Sequence, residues 1–165
     1  MTVAVGCDHA GFPLKALVVR EVEAAGHCVL DCGAFDENPS DYPDFARKVG
    51  EALISGQASR GILVCGSGVG VSVAASKIPG VRAALCHDVF SACQGVEHDD
   101  MNVLCLGARA IGPDFAARVI RAFLEATFSG DERHQRRLAK ISGIERDACS
   151  GLFARGVKER GSARG

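Results

Sequence analysis

Between Gly61 and Lys77 the chain reads Gly-Ile-Leu-Val-Cys-Gly-Ser-Gly-Val-Gly-Val-Ser-Val-Ala-Ala-Ser-Lys. A short apolar run, residues 61–64, stops at Cys65, and Gly66, Gly68 and Gly70 follow before a small-residue helix pattern begins. Strand, glycine turn and helix start in that order describe one unit of a parallel α/β sheet, with backbone N–H groups gathered at the turn. A thiol at the lip of such a turn, with the hydroxyl of Ser67 beside it, points to chemistry rather than scaffolding.

The rest of the chain keeps the same alternation. Residues 2–5, 28–31, 61–64, 81–86 and 102–106 read as five strands, and residues 12–25, 44–55, 89–96, 112–128 and 133–143 as helices. The apolar stripes are Leu14, Leu17, Val18, Val22 and Ala25 on the first helix, and Phe45, Val49, Ala52 and Leu53 on the second. Phe115, Val119, Ile120, Phe123 and Leu124 form the stripe of the helix over residues 112–128. Pro13 suits a first helical position, and Gly26 and Gly56 suit helix ends. The fold class expected is α/β, a three-layer Rossmann-like fold with a five-stranded parallel sheet. Residues 1–145 are read as one domain. Residues 146–165, rich in Gly, Ala, Ser and charge, are read as a tail that is disordered or docks on a neighbouring subunit.

A chain of 165 residues is long enough to bury a core without staples. Its net charge of −1 argues against general affinity for nucleic acid or anionic membrane. No run approaches the roughly 20 apolar residues of a membrane span, and the first residues enter a strand pattern directly, so a cytoplasmic protein is expected. The eight cysteines lack C-x-x-C or zinc-finger spacing. Six or seven of them read as small buried hydrophobes, and Cys65, with Cys7 behind it, is the exception at a strand end.

Ligands of open α/β sheets bind outside the carboxyl ends of the strands. The residues predicted there are Gly6-Cys7-Asp8-His9-Ala10-Gly11, Cys65-Gly66-Ser67-Gly68, Cys86-His87-Asp88 and Gly107-Ala108-Arg109. The Rossmann fingerprint fits the glycine turn poorly, because it needs glycine at Val71, although Asp88 stands where a ribose-binding acid would. A dinucleotide site thus remains a second reading. The phosphate-binding P-loop and the G-x-S-x-G elbow both fail on residue identity.

Asp8-His9-Ala10-Gly11, Asp41-Tyr42-Pro43, Cys65 to Gly70, Ala75-Ser76-Lys77, Glu97-His98-Asp99, Asn102-Val103-Leu104, Gly107-Ala108-Arg109 and Arg133-His134-Gln135-Arg136-Arg137 together resemble type B ribose-5-phosphate isomerase. That family includes the galactose-6-phosphate isomerase subunits. The likeness runs colinearly from Val3 to Ile144. It implies a sugar-phosphate isomerase of the pentose phosphate pathway, working through a cis-enediolate without metal or organic cofactor. It also implies a homodimer or homotetramer with active sites shared between subunits.

Residue by residue, the likeness makes Cys65 the base that moves the proton between C2 and C1, Ser67 the hydroxyl that relays the O1/O2 proton, and His98 the ring opener. Gly66, Gly68, Val69 and Gly70 would offer amides to the enediolate. Asp8 and Tyr42 would hold sugar hydroxyls, and His9, Arg133 and Arg137, joined by Arg109, would hold the phosphate. Arginine forks suit phosphate, and i, i+4 spacing puts Arg133 and Arg137 on one helical face. Some of His98, Asp99 and Arg109 would come from the partner. Asp99 stands where the family often has Asn; a carboxylate only accepts hydrogen bonds and adds charge beside an anionic substrate, which leaves the preferred sugar open between five and six carbons. A non-catalytic sugar-phosphate or nucleotide module on the same sheet is the competing class.

Overall fold

The computed structural model describes residues 1–153. The chain divides into two units, Met1–Ser129 and a second that starts at Gly130. The first contains β1 (Thr2–Cys7), α1 (Phe12–Ala24), β2 (Cys28–Asp31), α2 (Tyr42–Ile54), β3 (Arg60–Cys65) and α3 (Val69–Ala75). It continues with β4 (Ala83–Leu85), α4 (Val89–Asp99), β5 (Val103–Gly107) and α5 (Pro113–Glu125). The described part of the second unit is α6 (Glu132–Cys149) and the turn after it.

All five strands are parallel, in the order β2-β1-β3-β5-β4. Side chains alternate across the sheet as the period of two requires. Val3, Val5, Cys7, Ile62, Val64, Leu104 and Leu106 face a core shared with α1, α4 and α5, which contribute Val18, Val22, Val96, Ile120 and Phe123. Ala4, Leu63, Cys65, Val103 and Cys105 face the other core, closed by Ala46 and Val49 of α2 and by Val71 and Ala75 of α3. The result is the three-layer α/β arrangement expected from the sequence.

The strand order also locates the crevice. The chain leaves β1 toward β2 on one side and leaves β3 toward β4 on the other, so a gap opens at the carboxyl ends of β1 and β3. Asp8 follows β1, and Cys65 ends β3.

Three expectations change. Phe115 is exposed and lies under the Arg118 guanidinium, 5.3 Å from its ring centroid, so the α5 stripe begins at Ala116. Ala25 is exposed as the C-cap of α1, while Lys15 and Glu21 of that helix are buried. Helix α6 runs past Gly143 to Cys149, so residues 146–149 of the expected tail are helical; residues 154–165 lie outside the described part.

Candidate active site

Cys65 is the last residue of β3, and its side chain is 5% exposed. The Gly68 N–H donates to its Sγ at 3.0 Å. Gly68 has φ +80°, and a Cβ there would come within 2.4 Å of Leu85 Cδ1 and 2.9 Å of the Gly107 nitrogen. Only glycine both adopts this turn and fits the space, and the turn is what aims the N–H back at sulfur. An N–H held on the thiol is placed to stabilise negative charge there. The Val69 N–H donates to Ser67 Oγ at 3.3 Å. Gly68 and Val69 thus use their amides inside the loop, and the loop residues that line the cleft are Cys65, Gly66, Ser67 and Gly70.

The cleft holds about 490 Å³. Asp8, Ala10 and Tyr42 close one side, and Arg109 and Ala110 the other. Asp8 is 5% exposed, and its Oδ1 accepts the Gly11 N–H at 2.8 Å, which turns the chain into α1. The Tyr42 ring packs on Gly70 so closely that a Cβ there would lie 2.9 Å from Cζ. The Arg109 N–H donates to Gly66 O at 3.0 Å, and its guanidinium carbon lies 3.6 Å from a Cβ built on Gly66. His9 is held by Ser40: the His9 N–H donates to Ser40 Oγ at 3.0 Å, and Nδ1 lies 3.1 Å from the Ser40 nitrogen and 3.2 Å from its carbonyl oxygen.

Two supports of this rim have no local signature in the sequence. Lys15 Nζ donates to Ala34 O at 2.6 Å, pairs with Asp31 Oδ1 at 2.7 Å and sits 4.7 Å from the Phe35 ring centroid. It therefore anchors the start of the loop that carries Ser40 and Tyr42. His87 Nε2 accepts the Gly107 N–H at 3.0 Å. The sequence places His87 at the rim by its strand end but carries no signal for what it touches.

Other expected residues lie elsewhere. His98 and Asp99 are the last residues of α4, five and four residues before β5 begins. They stand at the amino ends of the strands, about a strand length (~15 Å) from the Cys65 cleft of the same chain. Arg133 and Arg137 are exposed on α6, in the second unit, and Arg133 Nε lies 3.6 Å from Asp131. Arg109, by contrast, lies in the cleft of its own chain.

Of the eight cysteines, Cys7, Cys65, Cys86 and Cys105 are buried; Cys28 and Cys149 are exposed, correcting the expectation that nearly all pack inside. Cys28 opens an edge strand and Cys149 ends a helix. Burial pushes the thiols of Cys7 and Cys105 up and raises Cys86 to about 11, so these remain protonated at neutral pH. Among the described residues no helix is long and apolar enough to cross a membrane.

The model of the Ribose/Galactose Isomerase family matches residues 3–141. Ribose-5-phosphate isomerase B of Escherichia coli is 41% identical over 87% of this chain and 95% of its own length. D-erythrulose-4-phosphate isomerase of Pectobacterium atrosepticum is 40% identical over 79% of this chain and 86% of its own. The solved ribose-5-phosphate isomerase B of Clostridium thermocellum superposes with a TM-score of 0.87 at 42% identity, covering 90% of this chain and 99% of that one.

Proposed function

This chain belongs to the ribose/galactose isomerase family, and on that premise we propose that it interconverts ribose 5-phosphate and ribulose 5-phosphate through a cis-enediolate, with Cys65 as the base. The observation that carries the reading is the Gly68 N–H held on Cys65 Sγ at the wall of an open cleft. The thiolate takes the proton from C2 of the open-chain aldose, and the electron pair moves onto the carbonyl oxygen at C1. Ser67 Oγ, exposed at the mouth, passes the hydroxyl proton between O2 and O1, and the Cys65 thiol returns its proton to C1. Gly66, Ser67 and Gly70 line the cleft, and their amides take the developing oxyanion. Asp8 and Tyr42 hold sugar hydroxyls, and His9 with Arg109, Arg133 and Arg137 holds the phosphate. No metal or organic cofactor takes part.

His98 opens the furanose ring in the site of a second copy, with Asp99 beside it. Two observations support this. His98 stands at the end of α4 just before β5 enters the sheet, whereas Cys65 ends β3 at the opposite edge, and Val69, Val73, Leu85 and Phe90 expose apolar side chains on and beside the edge strand β4. The chain then works as at least a dimer in the cytoplasm.

Cys65→Ala should lower kcat about a thousandfold, the range of a lost general base, while thermal unfolding and inorganic phosphate binding stay unchanged. Full turnover by that variant would end the mechanism. Mixing inactive Cys65→Ala with inactive His98→Asn tests sharing. Random dimers regain up to roughly a quarter of wild-type activity if sites are built across the two-fold, and none if each chain is self-sufficient. A panel of four-, five- and six-carbon sugar phosphates ranks the substrates; a relative named for a four-carbon sugar makes that ranking worth measuring.

A further inference from the structure

Strand β4 stops short of the rim, and a side chain finishes its ladder. The Cys86 N–H still donates to Cys105 O at 3.2 Å, but the next donor on β5, the Gly107 N–H, meets His87 Nε2 at 3.0 Å instead of a strand carbonyl. Because the N–H donates, Nε2 carries the lone pair and the proton sits on Nδ1, which makes His87 the neutral Nδ1–H tautomer.

Gly107 is pressed against the catalytic loop on its other side. A Cβ on Gly107 would lie 2.4 Å from Ser67 O, and a Cβ on Gly68 would lie 2.9 Å from the Gly107 nitrogen. The two residues after Gly107 then bond the loop directly, Ala108 N–H to Cys65 O at 2.9 Å and Arg109 N–H to Gly66 O at 3.0 Å. Three successive amides are therefore committed to His87, Cys65 and Gly66.

We infer that His87 is a positioning residue for the isomerisation, acting through Gly107 to set the register of Cys65, Ser67 and Arg109. This rests on the isomerase reading of the same cleft. Without an acceptor, the Gly107 amide must find one by moving, and the backbone that fixes the thiol moves with it. Displacements of a fraction of an ångström at reacting groups lower kcat strongly and leave ground-state binding nearly intact.

The discriminating variants are His87→Gln and His87→Asn. Glutamine sets an acceptor oxygen near the Nε2 position, whereas asparagine sets it near Nδ1, out of reach of Gly107. With ribose 5-phosphate as substrate, His87→Asn should lose about tenfold in kcat with KM within about twofold, and His87→Gln should stay within about threefold of wild type. Nitrogen-15 spectra of the wild-type imidazole should show Nε2 unprotonated. Equal behaviour of the two variants, an effect confined to KM or to the melting temperature, or a protonated Nε2 would overturn the inference. Cys65→Ala measured in parallel separates the two claims. If it is fully active, the isomerase reading falls and this inference with it; if it is inactive while His87→Asn matches His87→Gln, this inference alone falls.

Discussion

At the carboxyl ends of the strands the helices begin, and their first N–H groups need acceptors; at the amino ends the helices finish, and carbonyl oxygens are in surplus. Each end recruits the side chains it lacks. Asp8 accepts from Gly11, Cys65 from Gly68, His87 from Gly107, and Asp88 from Ser91 at 2.7 Å. At the far end Arg60 donates to the carbonyl oxygens of Phe123 and Leu124 in the last turn of α5 and of Ala126 at its C-cap. Arg82 gives its Nε to Asp100 O at 2.6 Å, and Asn102 donates to Gly80 O at 2.9 Å. The side chains at the first end are acceptors and line a cleft, where the proposed isomerisation would take place. The cations at the second are occupied in finishing helices and turns, so their charge says little about substrate.

Gly107→Ala is the hardest test of the first end, because its new Cβ meets backbone rather than a flexible side chain. We expect kcat to fall about a hundredfold or more, together with a lower melting temperature; a variant with wild-type kinetics would show that the close packing of β5 on the loop is irrelevant to turnover. Arg60→Met probes the second end. Removing a half-buried guanidinium from three carbonyl groups should cost about 2 kcal/mol in urea unfolding with kcat unchanged, and a fall in kcat comparable to that of Gly107→Ala would erase the distinction between the ends.

The smallest effect concerns Glu21, a carboxylate in the last turn of α1, where the helix dipole is unfavourable. Arg121 Nε donates to it at 2.7 Å, and this hydrogen bond, opposed by burial and reinforced by the charges of Arg121 and Arg20, holds its pKa below the usual value. A folded value below the unfolded one means the stabilisation is present above about pH 4.3 and is lost as pH falls through the folded value. Acid unfolding followed from pH 6 to pH 3 should therefore be shallower in Glu21→Gln, and identical curves would remove Glu21 from the acid response.

Most of the first unit was legible in the sequence because its signals are local. The β2 range matches residue for residue, and Gly26 and Gly56 take positive φ past helix ends as expected. Of the residues expected at the ends of β1, β3 and β5, Asp8, Ala10, Cys65, Gly66, Ser67 and Arg109 line the crevice while Cys7 packs in the core. What was not legible depends on partners far along the chain. Lys15 and Glu21 look like solvated charges until Asp31, Ala34 and Arg121 are brought to them. Phe115 satisfies the apolar period yet falls at the helix start, where the α5 contact surface has not begun. Gly143 reads as a helix end, but one helical glycine costs only about 1 kcal/mol, and α6 continues through it. The separation of His98 from Cys65 follows from strand direction: a helix that precedes a strand ends at the strand's amino edge.

The clamp formed by Lys15 has a consequence for how the protein tolerates change. Lys15 pins the loop at Ala34 and Phe35, and Ser40 pins it again through His9, just before Tyr42 enters α2. Between those points residues 36–39 are exposed, and the hydrogen bonds found there join Asn38 to Asp36. A segment fixed at both ends and, among the described residues, hydrogen-bonded within itself is where length can vary freely. Natural insertions, engineered epitopes and fluorescent labels belong between Asp36 and Pro39, whereas one residue more on either side of the clamps would shift a cleft wall.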